Sequence, residues 1–339
     1  MWFKKKKKDL GQFQGQENSI LDYVKTGNEA VNIISPLYNK SNIFGGLFNW
    51  CIKENKTVIY IVNNEIGIQI FNDIYGGTFF ENICLSEKSN NIKKMVHVST
   101  YNMALYYRET YDVVIYDEIN SKTTNNKMAI ISLMEKLKSS YGVMIGYSFE
   151  SIFDREPTIY NYNDSHKLPL IEPRIMATKV ALEKEIPNNV YEYLKWAITM
   201  GRKIIIYVPM ANKINSVYKS FLIIKNMLGC DIFIQESNND DRRHVGKFLN
   251  SSKGIMITND FYEDYKGSYC TDIIIYFSDC NTVTYKDLVY ITGRASRKGN
   301  GLEEEVLFLC NSETEAMEKC KFIFRELNKR AWSQGLLKL

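Results

Sequence analysis

Short apolar runs rich in β-branched residues recur along this 339-residue chain, and segments of helical length separate them. In the first half of the chain the runs stand at 30–34, 57–62, 96–99, 113–116 and 143–146. Near-continuous apolar strands separated by helices are typical of a parallel sheet that is covered on both faces. The first half is therefore predicted to form an α/β domain around a mainly parallel sheet.

The same alternation restarts after a polar, proline-containing stretch. Strands are predicted at 203–208, 231–234, 254–258, 272–276 and 306–309, and helices at 190–200 and 313–329. The predicted organisation is a basic N-terminal arm with a first helix (1–27), a first lobe (28–160), a linker (161–173) and a second lobe (174–339). Two successive units of this size predict an α/β fold of two tandem RecA-like lobes, each a mainly parallel sheet flanked by helices. Such lobes bind ligands at the carboxyl ends of their strands.

Composition limits the classes of function. The formal net charge is only +4, so a nucleic-acid surface would have to be a local patch. No apolar run approaches the roughly 20 residues of a membrane span, and the lysines at positions 4–8 precede no apolar segment, so we expect a cytoplasmic protein without a transmembrane segment. The seven cysteines are scattered and never spaced C-x-x-C, which favours buried thiols over a zinc site.

The apolar run at 111–116 ends in an acidic pair, Asp117 and Glu118. An apolar strand that ends in Asp-Glu has the form of a Walker B motif. Asp117 is predicted to hold Mg²⁺, directly or through water, and Glu118 to orient or deprotonate an attacking water. The alternative is that the pair only caps the next helix.

Two arginines, Arg294 and Arg297, follow Gly293 in a G-R-x-x-R pattern. On a helix, residues three apart share one face, and guanidinium groups match the geometry of phosphate oxygens. Both arginines are predicted to contact the γ-phosphate of a nucleotide. The alternative is a solvated helix surface.

A phosphate-binding loop is expected after the first strand, where 35–41 ends in Lys40 and Ser41. In a G-x-x-x-x-G-K-[ST] loop the lysine reaches the β- and γ-phosphates and the hydroxyl contacts the metal, which predicts ATP and Mg²⁺ as cofactors. However, Ile34 and Asn39 stand where that pattern has glycine, which is used there because the backbone must approach phosphate closely. A functional loop and a degenerate one both remain open.

The acidic pair and the G-R-x-x-R element, one lobe apart, indicate a superfamily 2 (DEAD/DEAH-type) helicase core. Within that superfamily the chain resembles the ComFA late-competence family, which drives DNA uptake in Gram-positive bacteria. The resemblance covers about 15–327 and rests on seven stretches, 15–16, 98–102, 166–173, 206–209, 293–297, 305–308 and 315–317. It implies an ATP-dependent translocase of single-stranded DNA. It also implies partners among other DNA-uptake proteins and a possible position at the inner face of the membrane.

The resemblance also assigns further site residues. Gln16 is implied to contact the nucleotide. Single-stranded DNA is implied to contact Thr100, Tyr101 and Asn102 in the first lobe, and Thr258 and Asn259 in the second. The lysines at positions 4–8 could contact DNA phosphates or anionic lipid, or form a solvated arm.

The sequence departs from the family pattern at several sites. Asp264 and Tyr265 replace an arginine and a glycine, and 146–149 replaces a short Ser/Thr-Ala-Thr stretch. Together with the missing loop glycines, these changes support an alternative function: a catalytically impaired pseudo-ATPase that acts as a DNA-binding or scaffold protein on the helicase fold. A third possibility is an RNA helicase of the same superfamily, which the linker resemblance disfavours.

Overall fold

The computed structural model describes residues 16–37, 39, 42–79, 83–85, 95–162, 168–260, 271–295 and 304–337. Lys40, Ser41, Arg297 and the lysines at positions 4–8 lie outside the described residues. The chain divides into two compact units, with the division after residue 165. These units are called lobe 1 and lobe 2 below.

Lobe 1 is an α/β unit around a seven-stranded sheet. Its elements are α1 (Gln16–Lys25), β1 (Ala30–Ile34), α2 (Gly45–Lys53), β2 (Val58–Val62), α3 (Glu65–Phe71), a π-helical segment (Asn72–Gly76), α4 (Gly77–Phe79), β3 (Ile83–Leu85), β4 (Val96–Thr100), α5 (Tyr101–Ala104), β5 (Tyr111–Asp117), α6 (Lys127–Leu137), β6 (Lys138–Ser148) and β7 (Thr158–Tyr160). The strand order is β3-β4-β2-β5-β6-β1-β7. All neighbouring strands are parallel, so the carboxyl ends of β1, β6 and β5 lie side by side.

Lobe 2 repeats this architecture with six strands. Its elements are β8 (Arg174–Ala177), α7 (Asn188–Thr199), β9 (Lys203–Tyr207), α8 (Ala211–Leu228), β10 (Asp231–Gln235), α9 (Arg243–Asn250), β11 (Gly254–Thr258), β12 (Thr271–Ile275), α10 (Tyr285–Thr292), β13 (Val306–Cys310) and α11 (Glu315–Ser333). The strand order is β10-β11-β9-β12-β13-β8, again with parallel neighbours.

Five strands are buried along their whole length, which explains their composition. Every residue of β1, β2, β11, β12 and β13 is buried. A strand with helices on both faces has no solvent side, so apolar residues do not alternate with polar ones. The predicted fold class, two α/β units with mainly parallel sheets, is confirmed.

Three short strands were not predicted, and all three lie at sheet edges. They are β3, β7 and β8, with three, three and four residues.

Part of the predicted linker is bound to helix α11 of lobe 2. Leu170 is buried and exchanges two hydrogen bonds with Asn328 of α11, at 2.6 and 2.8 Å, and Glu172 pairs with Arg325 of the same helix at 2.8 Å.

Candidate functional site

The acidic pair and the start of the candidate phosphate loop lie on the same edge of the lobe 1 sheet. Ser35 follows β1, and its backbone N–H donates to the carbonyl oxygen of Ser148 at the end of β6 (2.9 Å). On the other side of β6, the N–H of Glu118 donates to the carbonyl of Tyr147 (2.8 Å). One strand therefore separates the loop from the acidic pair.

Asp117 is almost completely buried, with 1% of its surface exposed, and protein donors surround its carboxylate. Oδ1 accepts the backbone N–H groups of Ile119 and Asn120, at 2.7 and 3.2 Å. Oδ2 accepts the hydroxyl of Tyr60 (2.7 Å) and the side-chain amide of Asn120 (2.9 Å). A carboxylate offers about four lone-pair sites, so all of them are used.

The groups that donate hydrogen bonds to Asp117 are all neutral. Burial raises the pKa of this carboxyl above its ordinary value, and the hydrogen bonds from Asn120, Tyr60 and the two backbone amides partly oppose that rise. Burial, together with the nearby Asp117 carboxylate, also raises the pKa of the Tyr60 phenol, so this group stays a hydrogen-bond donor. The side-chain oxygen of Asn120, Oδ1, is buried without a hydrogen-bond partner.

Glu118 is also buried, and its Oε2 accepts the hydroxyl of Ser148 at 2.6 Å. Ser148 belongs to the 146–149 stretch that departs from the family pattern, yet its side chain ties the end of β6 to the acidic pair. The bond holds Glu118 at the carboxyl edge of the sheet, beside the strand that precedes the candidate loop.

The described part of the candidate phosphate loop packs as a core segment. Leu37 is buried, and the amide of Asn39 donates to the hydroxyl of Ser35 (3.0 Å). The hydroxyl of Tyr147 lies 3.4 Å from both the Ser35 hydroxyl and the Asn39 carbonyl oxygen. Glycine-rich phosphate loops keep their backbone open to phosphate oxygens, whereas the described residues of this segment pack against one another and against Tyr147.

An aromatic cluster continues behind the loop. The ring of Phe44 packs edge-on against Tyr147 (5.4 Å between centroids) and Tyr60 (5.8 Å). The other members are Phe48, Phe71 and Tyr75, with neighbouring centroids 4.7–6.5 Å apart. The backbone N–H of Phe44 donates to the hydroxyl of Tyr75 at 3.4 Å. The aromatic cluster thus joins α2, the helix after the loop, to the Tyr60 donor of Asp117.

Gly293 and Arg294, at the described start of the G-R-x-x-R element, do not lie on a helix, contrary to the prediction. Helix α10 begins with a capping box between Thr284 and Asp287 and ends at Thr292, with Gly293 as its C-cap residue. Arg294 follows in a turn, where its N–H donates to the Ile291 carbonyl at 3.2 Å, and it is half-buried. Glycine has a low helix propensity, which explains the early end of α10.

In lobe 1, the three residues expected to contact DNA have different surroundings. Thr100 caps α5, where its hydroxyl accepts the N–H of Met103 (3.4 Å), and Asn102 is exposed. Tyr101 is a core residue, because its ring packs against Tyr116 (6.3 Å) and only 8% of it is exposed. Its ring is therefore not a surface on which a base can stack.

In lobe 2, Thr258 and Asn259 both make local contacts. Thr258 is fully buried, and its hydroxyl donates to the carbonyl of Asp260 (2.7 Å). The side chain of Asn259 accepts the N–H of Ser237 (2.8 Å) and donates to the Ser237 hydroxyl (3.1 Å). Asn259 is the more accessible of the two and joins the loops after β10 and β11.

Two further findings concern cofactors and membranes. Within the described ranges, no group of three or more His, Cys, Asp and Glu residues is arranged to hold a metal ion. No described helix has the length and apolar character of a membrane span.

Gln16, which the resemblance implies as a nucleotide contact, is the first residue of α1.

Sequence reasoning missed the groups that surround the acidic pair. Asn120, three residues after Asp117, carries a recognisable signal, because Asn side chains commonly bond nearby backbone and carboxylate groups in turns. Tyr60 carries none, because it lies within an apolar strand and reaches Asp117 only through the neighbouring position of β2 and β5.

Known structures share this architecture. The DExH-box NTPase HrpB of E. coli superposes on 92% of this chain with a TM-score of 0.51 and 11% identity. The helicase MrfA, described as a DUF1998 helicase bound to DNA and AMPPNP, superposes on 94% with a TM-score of 0.53 and 12% identity. Dbp5 of S. cerevisiae, bound to RNA and ADP BeF3, superposes on 95% with a TM-score of 0.52 and 13% identity.

These matches establish the fold. The chain has the same tandem RecA-like fold as these helicase structures. The matched regions are 43% of HrpB, 51% of MrfA and 91% of Dbp5, so the chain spans about half the length of the first two. No model of a known protein family matches the sequence, and no curated protein is a significant match to it.

Proposed function

We propose that this protein binds single-stranded nucleic acid on a two-lobe helicase fold and that its ATPase site is catalytically impaired. The observation that carries the proposal is the saturated carboxylate of Asp117. A residue that holds Mg²⁺, directly or through an ordered water, needs an accessible lone pair. Asp117 has 1% of its surface exposed, and four protein donors occupy its oxygens.

The candidate loop supports the same conclusion. Leu37 and the Tyr147 ring are buried in the region that a phosphate cradle keeps open, and the N–H of Ser35 is already bonded to Ser148. Catalysis needs the phosphates and water in near-attack geometry, and small displacements can cost about 100-fold in rate. The residues around Asp117 therefore do not fit a directly bound metal, and we derive no step through one.

The expectation of nucleic-acid binding rests on the fold and on the resemblance to the ComFA family. MrfA and Dbp5 are described as bound to DNA and RNA. For this chain we favour single-stranded DNA, with Thr100, Asn102 and Asn259 as the contact residues, because Tyr101 and Thr258 are buried. Binding of this kind is dominated by phosphate contacts and weakens steeply with salt.

The deciding experiment measures ATP hydrolysis with and without single-stranded DNA. Wild type and Glu118→Gln are expected to give the same background rate, because an impaired site has no activity to lose. Fluorescence anisotropy of a labelled oligonucleotide at two salt concentrations serves as the control that the protein is folded and binds DNA. DNA-stimulated hydrolysis that Glu118→Gln abolishes would overturn the proposal.

A second candidate function is an ATP-driven translocase of single-stranded DNA of the kind that the ComFA resemblance implies, acting in DNA uptake with partners at the membrane. The hydrogen bond between Glu118 and Ser148 favours this second candidate, because the bond keeps a carboxylate at the sheet edge where a general base would act. This candidate requires Asp117 to exchange its Tyr60 and Asn120 donors for metal-bound water. Hydrolysis in wild type, lost in Glu118→Gln, would support it.

A further inference from the structure

The outermost strand of the lobe 2 sheet has features of a partner-binding edge. Strand β10 pairs with β11 on one side, and no strand in the described part of the chain pairs with its other side. Edge strands are commonly protected by short length, lysine or proline. The edges β3, β7 and β8 have only three or four residues, whereas β10 has five, Asp-Ile-Phe-Ile-Gln, without lysine or proline.

A groove of about 560 Å³ lies between β10 and helix α9. Its lining residues are Asp231 and Phe233 of the strand, Arg243, Gly246, Lys247 and Asn250 of the helix, and Ser251. The four helix positions follow the i, i+3, i+4, i+7 spacing and so share one face. The opposite face carries Val245 and Phe248, which are buried against the sheet. Helix α9 therefore packs with its apolar face and lines the groove with its polar face.

Gly246 gives the groove its depth. A Cβ at this position would meet no atom within 4 Å, so the surrounding structure does not require glycine there. Glycine inside a helix costs about 1 kcal/mol relative to alanine. A glycine that weakens the helix without a packing reason is consistent with a ligand that approaches the helix closely.

The charge of the groove favours an acidic occupant. Lys247 is exposed and forms no ion pair within the described ranges, and Arg243 is exposed and pairs with Asp241 (2.6 Å). The groove's one carboxylate, Asp231, is already paired with Lys225 at 2.8 Å. Arg243 and Asp231 are therefore both paired, and Lys247 is the groove's unpaired charge within the described ranges.

We propose that an extended acidic peptide segment of a partner protein adds as a strand beside β10 in this groove. Main-chain bonds to an exposed edge give such complexes their affinity, and pockets for alternate side chains give specificity. An apolar side chain would pack against Phe233, and a carboxylate would meet Lys247. His244 limits the length of the pairing, because its Nδ1 lies 2.9 Å from the carbonyl oxygen of Ile234. The added strand would pair along the Asp231–Phe233 half of β10.

The experiment uses the full chain and a fluorescein-labelled decapeptide of alternating valine and glutamate, followed by anisotropy. Two matched peptides replace glutamate by lysine or place proline at alternate positions. We expect the acidic peptide to bind and both matched peptides to fail. Gly246→Leu should weaken binding at least tenfold, because the leucine fills the groove. Gly77→Leu is the control, since that exposed helical glycine of lobe 1 also has no atom within 4 Å of its Cβ position.

Several outcomes would overturn the proposal. They are no binding of the acidic peptide, equal binding of the lysine peptide, binding of the proline peptide, and full binding by a folded Gly246→Leu protein. A labelled single-stranded oligonucleotide that loses affinity in Gly246→Leu would assign the groove to nucleic acid. Self-association of wild type that Gly246→Leu abolishes, measured by sedimentation, would assign it to a second copy of this chain. None of these measurements depends on ATP hydrolysis.

Discussion

Each lobe buries one aspartate almost completely, and the two are held in different ways. Asp272 of lobe 2 is fully buried and contacts the guanidinium of Arg202, with Nε at 2.8 Å from Oδ2 and the NH2 group on Oδ1. The hydroxyl of Tyr193 (2.7 Å) and the N–H of Glu305 (2.9 Å) complete its shell. Asp117 of lobe 1 has only neutral donors, although it is equally buried.

The two aspartates lie at opposite ends of their strands, which indicates different roles for their hydrogen-bond partners. Asp272 is the second residue of β12, near the amino end of that strand, and its partners join α7, β9 and β13 into the lobe. Asp117 is the last residue of β5, at the carboxyl edge where ligands of α/β proteins bind. The buried ion pair ties Asp272 to Arg202, whereas Asp117 is held by neutral donors alone.

The strongest test of this difference removes Arg202. Arg202→Ala leaves the charge of Asp272 buried without its cation, which typically costs about 3–5 kcal/mol. Hydrogen exchange of the β9 and β12 amides in denaturant is the measurement, because it reports lobe 2 alone. Lys225→Ala is the control, since its ion pair with Asp231 is exposed and is expected to contribute nothing measurable. A small effect of Arg202→Ala would mean that neutral donors alone can hold Asp272.

The corresponding substitution in lobe 1 is expected to cause a smaller loss of stability. Tyr60→Phe removes one of four donors to Asp117 and keeps the ring in the aromatic cluster, so a loss of about 1–3 kcal/mol in lobe 1 stability is expected. Tyr75→Phe is the matched control in the same cluster, because its hydroxyl accepts a longer bond from Phe44 and should cost about 0.5–1.5 kcal/mol. Equal losses, measured by hydrogen exchange of β5 amides, would argue against a special role for the Tyr60 bond.

The sequence predicts the central strands well, because burial on both faces imposes apolar, β-branched runs. The run at 254–258 coincides with β11, and 30–34 with β1. Short edge strands leave no such pattern. For this reason β8, at the start of the second lobe, is not predicted as a strand. The predicted helix through Arg294 was wrong, because α10 ends at Thr292 and Gly293 is its C-cap residue.

For the candidate site, the sequence predicts where the acidic pair stands but not what surrounds it. Asp117 and Glu118 follow an apolar run, and that run can only end at a sheet edge. The donors come from elsewhere: Tyr60 is 57 residues upstream, and Ser148 is 30 residues downstream of Glu118. Their convergence depends on the order β2-β5-β6 in the sheet, which no local pattern records. Placement of Lys40, Ser41 and Arg297 stays a prediction.

The smallest expected effect concerns the charge of Asp117 and its dependence on pH. Asp117→Asn should preserve the lobe 1 network without the charge. Its Oδ1 would keep the two backbone N–H bonds, and its amide could donate to the Tyr60 hydroxyl. The Asn120 side chain could turn to present Oδ1, the buried oxygen that now has no partner. We therefore expect the variant to fold normally.

The sign of the pH effect follows from the raised pKa of Asp117. A group whose folded-state pKa lies above its ordinary value of 3.8 stabilises the fold below that value and loses this contribution as pH rises through the folded-state pKa. Wild type and Asp117→Asn should thus be similarly stable in acid, and the variant should become the more stable protein towards neutral pH. Hydrogen exchange of β5 amides at several pH values measures the difference. Asp154→Asn is the control of opposite sign, because Lys127 lowers the pKa of that exposed carboxyl. If wild-type stability instead rose with pH relative to Asp117→Asn, the Asp117 site would favour a charged carboxylate, as a cation-binding role requires, and the translocase would become the better proposal.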